Sequence, residues 1–149
     1  FNGREQDHGQ ALKKYVMKNN VKNVFFHGEY LPEDRFKFIQ DTDIIQNVQD
    51  FNDVTKNAVS NKFYDAALFY IPQICTNKSF MGKCVEKYGL GFSCSVYDVN
   101  FADQLYEKYC KLDMIKFRAN CDAFVSKIIS EYYYGVDVLQ NLFNGKEGE

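Results

Sequence analysis

Residues 60–77 read SNKFYDAALFYIPQICTN, and how this stretch folds decides the fold of the chain around it. If Ser60 or Asn61 caps a helix, Phe63, Ala66, Ala67 and Tyr70 recur at helical spacing and form one buried stripe. Pro72 then stops the helix, and PQICT follows as a short apolar strand. Lys62 and Asp65 share the face beside the stripe, in the first turns of the helix. Two readings of that pair follow. In the plainer one, which helix chemistry alone favours, Asp65 complements the helix dipole and Lys62 is a solvated partner. In the other, Lys62 adds charge to an N-terminus that already suits phosphate, and Asp65 accepts hydrogen bonds from a ribose diol.

Outward from this stretch the alternation continues. Residues 5–19 show Leu12, Tyr15 and Val16 at helical spacing, and VKNVFFHG, residues 21–28, is β-prone. LPEDRFKFIQDT is a helix, DIIQNV (43–48) a strand, and QDFNDVTKN (49–57) a polar loop. After PQICT come a helix FMGKCVEKYG stopped by Gly89, a strand LGFSCSV, and helices over FADQLYEKYCKL, over 113–134, and over DVLQNLF after a break near Gly135. Apolar strands alternating with helices predict an α/β fold with a doubly wound, mostly parallel, Rossmann-like sheet. The whole chain, 1–149, reads as one domain, with 144–149 a disordered tail. In such sheets ligands sit outside the carboxyl ends of the strands, which nominates residues 2–4, 27–30, 49–57 and 76–79.

The composition narrows function. With 149 residues, 46% hydrophobic, the chain can build a core. Eighteen basic against twenty acidic residues, in no long blocks, give no field for nucleic acid. Five cysteines at irregular spacing and only His8 and His27 argue for reduced thiols and no metal site. No run is long and apolar enough to span a membrane, and the N-terminus lacks the order of a signal peptide, so the expected compartment is the cytoplasm. The start at Phe1 without Met reads as a chain cut inside something larger, and F-N-G as the end of a strand that begins before it.

NVFFHGEYLPEDRFKFIQDTDII, then NKFYDAALFYIPQIC, then VEKYGLGFSCSV resembles the C-terminal, donor-binding domain of bacterial glycosyltransferases of the two-Rossmann (GT-B) type, over nearly the whole chain. Lys62, Asp65 and Pro72 stand at the family's lysine, acidic residue and proline. The resemblance implies transfer of a sugar from a nucleotide diphosphate sugar to a glycan or lipid-linked acceptor, in capsule, exopolysaccharide or lipopolysaccharide assembly. It implies no cofactor and no metal, basic side chains and a helix N-terminus stabilising the leaving diphosphate. By the same resemblance Asp65 takes the ribose hydroxyls and Lys62 lies beside the diphosphate. His27, Gly28, Glu29 and Tyr30 form the base pocket, Asn57 faces the donor sugar, and Arg4 is a candidate phosphate contact. Many relatives have glutamates where Asn57 and Asp65 stand here. The family's first strand and helix, and its acceptor-binding N-terminal domain, have no counterpart in these residues. The implied partners are therefore that domain, the sugar nucleotide and, for the full-length enzyme, the inner face of the membrane. No catalytic residue is assigned, and the chain alone is expected to be inactive. Unpaired sheet edges in such a fragment predict dimerisation.

Other candidates read as structure. His27 has no histidine near it in sequence, Gly89 and Gly91 precede a strand where a dinucleotide fingerprint follows one, and Cys75 has no histidine to activate it. Tyr132, Tyr133 and Tyr134 end a long helix and could face the missing domain. The rival functional class is a non-catalytic α/β module that binds a nucleotide or a protein. A receiver domain is disfavoured because Asp43 begins a strand instead of ending one.

Overall fold

Strand β2 (Gln73–Thr76) takes the centre of a parallel sheet, between β1 (Ile45–Asn47) and β3 (Gly91–Cys94). The computed structural model describes residues 7–95 and 97–144, and divides the chain into a first unit, Phe1–Asp41, and a second, Thr42–Glu149. The register sets Ile45, Gln73 and Gly91 in one row and Gln46, Ile74 and Phe92 in the next. β2 is apolar without alternation because it is covered on both faces: Gln73, Ile74 and Cys75 are all buried.

The crossovers are helices α3 (Asn61–Leu68) and α4 (Phe80–Tyr88). The strand order β1-β2-β3 advances without reversal among the described strands, so right-handed crossovers place both helices on one face. There Phe63 and Ala67 of α3 and Met81 and Val85 of α4 meet Cys75 of β2 and Leu90. Helix α6 (Met114–Asn144) closes this cluster with Phe117, Cys121 and Phe124, the last edge-on to Phe63 at 5.9 Å between ring centroids. Helix α5 (Phe101–Cys110) packs on β3. In the first unit, α1 (Asp7–Lys18) precedes a 3-10 turn (Pro32–Asp34) and α2 (Arg35–Ile39).

Gly89 caps α4 in the left-handed conformation, φ 63°, as its place at the helix stop implies. Gly91 has a different reason to be glycine: a Cβ there would lie 2.1 Å from the Gln73 carbonyl oxygen, because β3 crosses β2 too closely for any side chain.

The mixed α/β class and the parallel strands are as the sequence implied, with shorter elements. Four expectations fail. Residues 21–28 form no strand, only a single bridge residue at Gly28, because β propensity is a weak preference that tertiary context overrides. Helix α6 runs through Gly135 unbroken, since one glycine costs only about 1 kcal/mol against alanine and flanking turns carry the helix across. Asn144, placed in the tail by sequence, is the last residue of that helix. Tyr70 leaves the buried stripe: it lies past the end of α3 at φ 56°, where its hydroxyl donates to Asp122 Oδ1 at 2.6 Å and Arg118 stacks on its ring. The strand end expected at residues 1–3 falls outside the described residues, as do 145–149. Among the described residues no helix is long and apolar enough to cross a membrane.

Candidate functional site

The three strands end side by side at Asn47, Thr76 and Cys94, and the loops that leave them enclose a cleft of about 150 Å³. Val48, Gln49, Asp50 and Phe51 line it after β1, Thr76 at the end of β2 with Asn77 after it, and Ser95 and Tyr97 after β3. Main-chain ties hold its walls. The Thr76 hydroxyl accepts from the Gln49 N–H at 2.8 Å and donates to the Gln49 carbonyl at 2.7 Å, fastening the first loop to β2. The Asn77 N–H donates to the Cys94 carbonyl at 2.8 Å, fastening the second loop to β3.

The first loop has its own scaffold. Asn52 Oδ1 accepts from the N–H groups of Val54 and Thr55, each at 3.0 Å, and the Thr55 hydroxyl bonds the Asp50 carbonyl. The loop's far end docks on α4, where the Phe80 N–H donates to the Lys56 carbonyl at 2.7 Å. Ser79 caps α4, its hydroxyl accepting from the Gly82 N–H and donating to the Thr76 carbonyl. The cleft thus offers the carboxylate of Asp50, the amide of Asn77 and the hydroxyl of Ser95, with the rings of Phe51 and Tyr97 open to solvent, Tyr97 at 85% exposure. Such a set suits a small polar ligand with a flat or sugar-like face.

Beneath the cleft lies a buried polar chain. Ser60 Oγ donates to Asn47 Oδ1 at 2.6 Å, Asn47 Nδ2 to Gln73 Oε1 at 2.8 Å, and Gln73 Nε2 to the Phe63 carbonyl at 3.2 Å. It joins the start of α3, the end of β1 and the start of β2, tying the helix to the sheet through side chains.

The sequence-nominated residues distribute as follows. Residues 49–51 and 76–77, chosen by the strand-end rule, line the cleft. Lys62, Asp65 and Asn57 do not. Lys62, an exposed residue, reaches back along α3 and donates from Nζ to the Gln46 carbonyl at 3.1 Å, satisfying an acceptor on the outer described strand; partial desolvation of the ammonium there holds its pKa below the usual lysine range. Asp65 lies one turn further on, half-buried, and Asn57 is exposed in a turn of the loop. His27, Gly28, Glu29 and Tyr30 belong to the first unit: His27 and Glu29 are exposed, Gly28 has φ 78°, and Tyr30 packs edge-on against Phe38 at 5.1 Å. Arg4 lies outside the described residues. Ser95 and Tyr97 were missed, although the strand-end rule, carried on to the last strand, points to them. Nothing in the sequence signals Asn47 and Gln73.

The cysteines are all unpaired. Burial, with Cys94 and Cys84 nearby, pushes the Cys75 thiol up to about 12, and burial, with Asp122 adjacent, pushes Cys121 up to about 11. Both are core thiols and poor nucleophiles. Among the described residues no group of three or more His, Cys, Asp or Glu side chains is placed to hold a metal ion.

Comparison of the chain with protein-family models, curated proteins and solved structures finds no match.

Proposed function

We propose that the chain is the donor-binding domain of a glycosyltransferase and that the strand-end cleft takes a nucleotide diphosphate sugar. The observation that carries the reading is the cleft itself: it opens where the carboxyl ends of parallel strands meet, the place where α/β sheets bind nucleotides. The advancing order β1-β2-β3 fits one wing of a doubly wound sheet, and the spacing of Lys62, Asp65 and Pro72 fits the family motif. In this reading the cleft receives the phosphate and sugar end of the donor. Asp65 accepts hydrogen bonds from ribose, and Lys62 exchanges its bond to the Gln46 carbonyl for a phosphate oxygen. Transfer then requires an acceptor-binding domain, and the complete enzyme works at the cytoplasmic face of a membrane.

The second reading, a non-catalytic α/β module, is favoured by one observation. Lys62 already has a use, since its ammonium satisfies a carbonyl of the outer described strand and needs no ligand. Calorimetric titration with UDP, GDP and their sugars separates the two. The donor reading expects binding that Asp65→Ala weakens by about 1.5–3 kcal/mol, roughly ten- to hundredfold. Binding unchanged by Asp65→Ala returns that residue to its helix-dipole role, and no heat with any nucleotide favours the module.

A further inference from the structure

Helix α6 spans Met114–Asn144, about 46 Å at ~1.5 Å per residue, but only its first half meets the core. Phe117, Cys121 and Phe124 are buried there, with Val125 and Ile128 packed against them. The apolar pattern does not stop where the core stops. At 100° per residue, Tyr132, Val136, Leu139, Leu142 and Phe143 fall on the same side of the helix as Phe117, Cys121 and Phe124, the centre of their stripe turned by about 50° from that of the buried three. Past the core this stripe is bare: Tyr132 is 67%, Leu139 55% and Phe143 71% exposed. The helix carries its apolar stripe past the core of the second unit, where these side chains stay exposed among the described residues.

From this we infer that two copies of the chain pair through the overhanging halves of α6, side by side and antiparallel. Three observations choose that occupant. The exposed half, residues 129–144, contains no lysine or arginine and two acids, Glu131 and Asp137, which opposes seating on an anionic membrane surface. Glu131 is paired with Lys127 at the rim, and Asp137 lies away from the stripe, so two stripes can meet without opposing charges. Five apolar side chains burying about 100 Å² apiece give roughly 1,000 Å² over both copies, the lower end of what a specific interface needs.

The direction follows from sterics. The exposed stripe and the core lie on the same side of α6, so a parallel pair would put both cores into the space between the helices. An antiparallel pair puts each overhang beside the other and each core beyond its partner's end, a closed two-fold interface. The anchored first half removes the nucleation cost that makes short helical pairs marginal in isolation. Gly135 falls on the same stripe with nothing within 4 Å of a Cβ built there, which leaves room for the partner helix to approach. This inference does not depend on what the cleft binds.

Sedimentation velocity over a range of micromolar concentrations tests it. The unaltered chain should move as a concentration-dependent dimer. Leu139→Asp, at the centre of the stripe, should be monomeric at all of these concentrations with unchanged helical circular dichroism. Tyr134→Asp, on the opposite side of the helix and 71% exposed, should remain dimeric. A monomeric unaltered chain, showing that something other than a second copy covers the stripe, would overturn the proposal, as would a dimer that survives Leu139→Asp or is lost equally in Tyr134→Asp. For direction, Phe143→Cys in a Cys110→Ser chain should not cross-link under oxidation, since the antiparallel pair holds the two positions about 20 Å apart. Rapid disulfide formation would overturn that arrangement.

Discussion

Gln73 shows how a single side chain can fix a fold. Fully buried, it accepts from Asn47, donates to the Phe63 carbonyl, and lies in the row that Gly91 must pass without a side chain. Gln73→Leu keeps the volume but leaves Asn47 Nδ2 without its partner and removes the second bond to the Phe63 carbonyl, which keeps its place in the ladder of α3, for a loss of about 1–3 kcal/mol. Chemical denaturation measures it, and a loss below about 0.5 kcal/mol would show the chain of bonds to be incidental. Gly91→Ala should cost at least as much, because the new Cβ meets backbone on β2 that cannot move without breaking the ladder. The residue scale is also where the sequence was least legible. Phe63, Ala66 and Ala67 announce themselves by spacing and are buried. Gln73 and Asn47 look like any polar residues at strand ends, and only three-dimensional pairing makes them core. Lys62 and Asp65 were legible as a pair on one helix face but not in where they reach. Lys62 turns back to β1, the outer described strand, where its Nζ meets the Gln46 carbonyl, a partner no local pattern reveals.

At the scale of elements, spacing located the helices well and their ends poorly. Residues 21–28 have the composition of a strand, yet pairing is a non-local property that composition cannot supply. The break expected at Gly135 is absent for a local reason, the small cost of one glycine in a helix this long. The layer that α3, α4 and α6 build on β2 holds two thiols out of water, which gives the second unit a signature at alkaline pH. A folded Cys75 keeps its proton up to about 12 against an ordinary 9.0, so above pH 9 the unfolded state gives up a proton that the folded state retains. Stability is therefore full below pH 9 and falls as pH rises towards 12. Melting temperature followed against pH should show that decline, and Cys75→Ala, although less stable at neutral pH, should show a shallower one; an equal slope in both chains would contradict the burial of this thiol. Alkylation at mild pH should modify exposed Cys110 first and leave Cys75 and Cys121 untouched until the chain unfolds.

For the molecule as a whole, the α/β class and the place of the strand-end cleft were readable, and the side chains that line it were readable only in part. Alternating strands and helices imply a parallel sheet, and a parallel sheet implies a crevice at its carboxyl ends. Residues 49–51 and 76–77 follow from that rule alone and line the cleft that the fold forms. The motif residues lie off its lining, so the donor reading requires a ligand long enough to run from the cleft past the start of α3 to Asp65. That length is itself a prediction: a free sugar or inorganic phosphate should bind far more weakly than a sugar nucleotide that spans both places. The most direct measurement is a titration of the labelled chain with UDP-sugars and GDP-sugars followed by backbone amide chemical shifts. The account predicts saturable shifts at Gln49–Phe51, Thr76, Asn77 and Ser95 together with Asp65. Amides in those segments that stay still up to millimolar nucleotide, or shifts confined to other parts of the chain, would contradict it.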